Sequence, residues 1–161
     1  MTTTEASAGP FPLAAGTFRI DREGAWRHEG QEVTHPGVVG NLYANLRVDE
    51  QGHYLQVGPA RIPVQVDDTP FVVTRVQVLS PNTPALLRLY LSDGREEAVD
   101  PAGIWIGPNG APYCRIKGGR FLARFSVAAW LQLAEVVEEE RGTGRPVLVL
   151  GGRRIPLARG A

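Results

Sequence analysis

Cysteine is almost missing from this chain. Cys114 stands alone among 161 residues, which excludes an internal disulfide and any cysteine-rich zinc site. Lysine is equally scarce: Lys117 is the single one, against sixteen arginines. That bias reads as genomic base composition, although arginine also suits fixed ion pairs. No apolar run approaches the ~20 residues of a membrane span, and no basic segment precedes a short apolar stretch at the start. We therefore expect a cytoplasmic, soluble protein with no membrane partner. Net charge is missing too, with 17 basic residues against 17 acidic. A non-specific nucleic-acid binder usually carries a basic surplus, so no nucleic-acid partner is expected. What is present is apolar material, at 43% of residues, enough for a real core. The length suits one domain, or two small ones sharing a core.

Residues 1–16 carry Thr, Ser, Ala, Gly and Pro without a period and read as a flexible N-terminal arm, pinned by Phe11 and Leu13. Beyond it the chain repeats itself. Ile20-Asp21-Arg22-Glu23-Gly24-Ala25 recurs 86 positions later as Ile106-Gly107-Pro108-Asn109-Gly110-Ala111. The segment from Tyr54 to Val64 recurs 93 positions later as Val147 to Leu157, and both contain Gly-x-x-Arg-Ile-Pro. Between the matches each copy carries a helical pattern. Val39, Leu42, Tyr43 and Leu46 share one face behind Thr34 or His35 as cap and Pro36 near the first helical position. Val127, Trp130, Leu131 and Ala134 repeat that spacing behind Ser126 as N-cap, with Val137 continuing the stripe. Glu138-Glu139-Glu140 then falls at a helix end, balanced by Arg141 and Arg145, and Gly142 stands where a C-terminal cap would lie.

Strands flank the helices. Phe18 to Ile20 and a strand near 25–33 enclose the Asp21-Arg22-Glu23-Gly24 loop, and 54–57 pairs with 60–66. The second copy places strands at 104–106, 113–116 and 120–124, a helix over 126–140, and strands at 147–150 and 153–157. The first helix spans about 36–47. The intervening strands run from Phe71 to Leu79 and, after the Ser80-Pro81-Asn82-Thr83-Pro84 turn, from Ala85 to Leu91 and Glu96 to Val99. The predicted fold is α+β: two duplicated hairpin–helix–hairpin units, 17–66 and 103–158, joined by a central antiparallel meander over 67–102.

Ile20-Asp21-x-x-Gly24-x-Trp26, then Gly30, Asp49-Glu50-x-Gly52-x-Tyr54-Leu55 and Val66-Asp67-Asp68-Thr69-Pro70-Phe71 form a series. With Pro112-Tyr113, Gly118-Gly119 and the Gly151 to Leu157 ending, it resembles the bacterial family catalogued as domain of unknown function 1285. The resemblance runs from about Thr17 to Ala158. It implies a two-part α+β protein built by duplication, with a cleft between the parts that takes a small ligand, and it brings no established activity. One departure stands out. Where the family often carries Thr-Pro-Val-Glu-Lys, this chain has Gly58-Pro59-Ala60-Arg61, so the acidic member of that step is gone.

Catalytic chemistry finds little support. His28, His35 and His53 lack metal-ligand spacing, so no metal is expected, and no cofactor loop runs from a strand into a helix. Cys114 sits beside Arg115 but has no aligned base, and an alternating strand makes it a small core residue. Ser126 has no nucleophile-elbow context. The reading therefore leans away from an enzyme and toward a small-ligand-binding or sensory domain. The alternative is a structural or protein-interaction module without a small-molecule ligand. In a duplicated protein, specificity belongs where the copies differ. Trp26, His28, Asp67, Asp68, Tyr113 and Arg115 are the candidate binding residues: aromatic area, a planar anion clamp, and acceptors for amine or hydroxyl groups.

Overall fold

The computed structural model describes residues 17–79 and 86–160. The N-terminal arm and the Ser80 to Pro84 turn lie outside the described residues. The fold is mixed α+β and mostly strand. The chain divides into two compact units, Met1–Asp68 and Thr69–Ala161.

In the first unit β1 (Phe18–Ile20), β2 (Trp26–His28), β3 (Gln31–Glu32), helix α1 (Pro36–Ala44), β4 (Leu46–Asp49), β5 (Gly52–Val57) and β6 (Ala60–Val66) follow in sequence. They build a six-stranded sheet in the order β3-β2-β1-β6-β5-β4. The β1–β2 hairpin forms because the Asp21 carboxylate accepts from the amides of Glu23 and Ala25, at 3.0 and 2.9 Å. Gly24 closes the turn at φ 89°, a conformation that favours glycine. The strand expected over 25–33 is interrupted. Glu29 and Gly30, both at positive φ, make a two-residue turn between β2 and β3 whose twist matches the flanking strands. The first strand then pairs in parallel with the last, Phe18 opposite Val64 and Ile20 opposite Val66. That pairing requires the whole intervening chain as a crossover.

In the second unit β7 (Phe71–Leu79), β8 (Leu86–Leu91) and β9 (Glu96–Val99) form a meander, and a 3-10 turn (Pro101–Gly103) follows. Next come β10 (Trp105–Ile106), β11 (Pro112–Ile116), β12 (Phe121–Phe125) and α2 (Val127–Ala134). The unit closes with β13 (Val137–Glu139), β14 (Pro146–Leu150), β15 (Arg153–Pro156) and β16 (Ala158–Arg159). A seven-stranded sheet runs β16-β10-β11-β12-β7-β8-β9, beside a three-stranded sheet β13-β14-β15. Here too an early strand meets a late one in parallel, Trp105 opposite Ala158 and Ile106 opposite Arg159.

Both helices begin where the sequence places them. The His35 ring accepts from the Gly37 and Val38 amides, Pro36 opens α1, and Ser126 Oγ accepts from Ala129 N at 3.1 Å. Both end early. Leu46, read as the last member of the first helical stripe, is a buried strand residue opposite Leu55. Val137 and the glutamates after it leave the helix likewise: Val137 pairs with Leu148, and Glu138 faces Arg154 across the small sheet. The hairpins that follow each helix claim these residues, because their cross-strand ladders outweigh one further helical turn. Gly142 accordingly sits in the β13–β14 turn at φ 90°, not at a helix end.

The buried face of α2 also differs from the stripe read in the sequence. Ala129 and Leu133 are buried, whereas Val127 and Leu131 are 73% and 64% exposed and Trp130 is half-buried. An eight-residue helix reading Val-Ala-Ala-Trp-Leu-Gln-Leu-Ala offers two apolar faces, and tertiary bonds choose between them. Ser126 donates its amide to Val73 O, and the Gln132 side chain accepts from Val76 N at 2.7 Å, so Ala129 and Leu133 turn inward.

Arg61 spans the β4–β5–β6 meander, holding Asp49 through two bonds of 2.6 and 2.8 Å while its guanidinium covers the Tyr54 ring at 3.7 Å. The hydrogen bonds from Arg61 hold the Asp49 carboxyl at about 2.

Two outcomes follow. Leu133→Ala should lower stability by about 2–5 kcal/mol in urea unfolding, as a core truncation does. Leu131→Ala should change it by no more than about 0.5 kcal/mol. The reverse ranking would restore the stripe read from sequence. The depressed Asp49 pKa contributes stability that is complete above the unfolded value near 4 and lost as pH falls through about 2. Asp49→Asn should therefore destabilise at pH 6 and converge with wild type near pH 2. A stability difference unchanged across that window would show that the ion pair carries no linkage.

Candidate functional site

The β1–β2 hairpin sorts its side chains onto two faces. Cross-strand pairs Phe18–His28 and Ile20–Trp26 share one, and Arg19–Arg27 share the other. On the first face Phe18 stacks on the His28 ring, with centroids 4.5 Å apart, and Trp26 meets Tyr43 of α1 edge-on at 5.4 Å. Trp26 is 1% exposed. Two nitrogens on this face, Trp26 Nε1 and His28 Nε2, are buried without a hydrogen-bond partner among the described residues. A buried polar group left unsatisfied costs about 1–3 kcal/mol, so such atoms are rarely left alone without a reason.

The second face is a lattice of charge. Arg27 Nε donates to Asp21 at 2.9 Å, and Arg19 grips Asp67 with bonds of 2.6 to 3.0 Å. The Asp67 carboxyl is held below its ordinary range by the hydrogen bonds from Arg19. Gln65 joins it, and a shallow hollow of about 260 Å³ lies among Phe18, Arg19, Arg27, Gly30 and Gln65. Asp67 is thus on the opposite face of the sheet from Trp26 and His28. Asp68 lies 3.9 Å from Arg22. Thr69 anchors the next segment, donating its buried hydroxyl to Phe71 O and accepting from Arg124 N.

Tyr113 and Arg115 stand on β11, two residues apart and so on one face. Tyr113 is stacked on Trp105 and its ring lies where a side chain on Gly107 would be. Arg115 is exposed and donates to Gly119 O at 3.3 Å, bracing the Lys117 to Gly119 turn. The opposite face of β11 carries Cys114 into the core beside Ala123. Burial, with Glu97 nearby, pushes its thiol up to about 12, which disfavours the thiolate a nucleophile needs.

Among the described residues, no group of three or more His, Cys, Asp or Glu side chains is placed to hold a metal ion. No described helix is long and apolar enough to cross a membrane. Sequence reasoning missed Arg19 and Arg27 as the partners that occupy the local carboxylates. Arg19 and Asp67 are 48 positions apart, and only the parallel β1–β6 pairing brings them together.

Solved structures give the comparison. A DUF1285 family protein from Silicibacter pomeroyi DSS-3 matches with a TM-score of 0.71 and 25% identity, covering 95% of this chain and 90% of that one. A DUF1285 family protein from Shewanella baltica OS155 matches at 0.63 and 17% identity, covering 74% and 91%, and at that identity speaks to fold alone. The resemblance to this family read from the sequence is thereby shown. No protein-family model matches the chain, and no curated protein does.

Cys114 provides a direct check of the core assignment. Ellman's reagent should leave the native protein unlabelled over an hour at pH 8 and titrate one thiol per chain after unfolding in guanidinium. Rapid labelling of the native state would place the sulfur at the surface.

Proposed function

We propose that this chain, whose fold is that of the DUF1285 family proteins, is a non-enzymatic domain that binds a small ligand. The observation that carries the reading is the pair of buried, unpartnered nitrogens on β2, Trp26 Nε1 and His28 Nε2. The indole can only donate, and the imidazole nitrogen donates or accepts according to tautomer. Together with the rings of Phe18 and Tyr43 they offer aromatic area with two fixed polar contacts, the composition of a small-molecule site. Of the six candidate residues, these two have polar atoms in want of a partner. Asp67 and Asp68 face arginines instead.

We also infer that the two halves are copies of one unit. Arg19 opposite Gln65 corresponds to Trp105 opposite Ala158 when the first strand is shifted by 86 positions and the last by 93, the offsets found in the sequence. Gln56 opposite Arg61 corresponds in the same way to Val149 opposite Arg154. Gly24 and Gly110 occupy matching turns at φ 89° and 84°. A sensory role fits a scaffold whose second copy has changed its side chains while keeping its turns.

The exposed Val127 and Leu131 on α2 favour a second reading, a protein-interaction module. A thermal-shift screen of metabolites separates the two, since a ligand at 100 times its Kd adds about 2.7 kcal/mol of stability. Under the first reading, at least one compound raises the wild-type Tm and loses its effect on Trp26→Phe, which keeps a ring and removes the N–H. A screen without hits, or hits that shift both proteins equally, would overturn it.

A further inference from the structure

Among the described residues, Arg19, Arg22, Arg27, Arg61, Arg88 and Arg154 each hold a carboxylate. Arg145 and Arg159 hold none among the described residues, yet both line one cavity in the second unit, of about 560 Å³. Its other walls include Pro146, Pro156, Leu157 and Ala158.

The cavity is built from two hydrogen-bonded pieces. One is the β13–β14 turn. There Glu140 N donates to Arg145 O, Gly144 N to Glu140 O, the Thr143 hydroxyl to the Glu140 carboxylate, and Arg145 N to Thr143 Oγ1. Every one of these bonds is spent inside the turn, and the Glu140 carboxylate is occupied by Thr143 rather than by either arginine. The second piece is the β15–β16 segment, tied to the first by Leu157 N donating to Pro146 O at 3.0 Å. Arg159 is fixed in turn by the β10–β16 pairing, opposite Ile106.

We propose that this cavity binds a small oxyanion, a phosphate or carboxylate carried on an apolar body. Arg145 and Arg159 line the same cavity without a carboxylate among the described residues, and an anion bound there would offer each guanidinium a charge-assisted contact. Guanidinium forks match the planar spread of phosphate and carboxylate oxygens. Proline, leucine and alanine walls suit a hydrocarbon or ring, and the volume lies within the range of small-molecule sites. The proposal is independent of the Trp26–His28 reading, which concerns the first unit. Either can fail without the other.

The test uses the full chain with three probes: phenyl phosphate, benzoate and inorganic phosphate. Calorimetric titration at low salt should show saturable binding of phenyl phosphate, stronger than that of inorganic phosphate and weakened as salt is raised. Arg145→Gln and Arg159→Gln should each weaken it at least tenfold. Arg141→Gln, an exposed neighbour outside the cavity, should leave it unchanged. Benzoate binding at comparable strength supports the oxyanion class as stated, and its failure beside phenyl phosphate narrows the class to phosphates. A variant-free readout accompanies this: phenyl phosphate should protect Arg145 and Arg159, but not Arg141, from phenylglyoxal. Absence of saturable binding at 10 mM, or equal loss with Arg141→Gln, would overturn the proposal.

Discussion

The parallel pairing of an early strand with the last strand of its unit, β1 with β6 and β10 with β16, is the constraint on which the rest depends. In the first unit, three residues on either side, Phe18–Ile20 against Val64–Val66, close the sheet around a helix and a meander. Local turn chemistry could make every hairpin without this pairing, but it could not decide which face of the β1–β2 hairpin meets the core. Once Ile20 is opposite Val66, the face carrying Phe18, Ile20 and Trp26 is turned to the core, and Arg19 is brought to Asp67 on the other. In the second unit the same kind of closure sets Arg159 opposite Ile106 and ends β16 against the Trp105 ring, which fills the place of a side chain on Gly160.

What could be read from the sequence was what neighbours in sequence decide. Asp21 and Gly24 announce a turn through an Asx acceptor and a residue at home at positive φ, and His35 and Ser126 announce helix starts through side-chain acceptors. The shared face of Trp26 and His28 follows from strand alternation alone. What could not be read depended on distant partners. Leu46 and Val137 fit a helical stripe as well as a strand, and only Leu55 and Leu148 decide the matter. The inward face of α2 is chosen by Val73 and Val76, more than fifty positions away. Asp67 read, with Asp68, as an acceptor for amine or hydroxyl groups, and no local signal places an arginine from residue 19 upon it.

Arginine serves two different ends in this neutral chain. Where a carboxylate is in reach, the guanidinium acts as a strap across strands, as Arg61 does over Tyr54 to Asp49 and Arg154 does to Glu138. Exposed pairs of this kind contribute little stability each, and their value lies more in fixing which strand faces which. Where no carboxylate is in reach, the charge stays available to something outside the chain. Sequence composition cannot separate these uses, since both appear as one letter in a run of sixteen.

The β1–β6 closure also has a consequence for how the protein is made. Its two partners are separated by more than forty residues, so β1 leaves the ribosome well before β6 does. At about 5–20 residues per second of synthesis, β1 waits several seconds with that edge unpaired. Only β2 can cover its other side in the meantime. During that interval the nascent hairpin presents Phe18, Ile20 and Trp26 beside an open strand edge, the combination that chaperones recognise and that neighbouring chains can wrongly extend. Long-range closure of this kind is intrinsically slow. On the other face of that hairpin Arg27 has Asp21 within reach from the start, whereas Arg19 keeps an unpaired charge until Asp67 arrives, and a charge on an open edge discourages pairing with copies of the same chain.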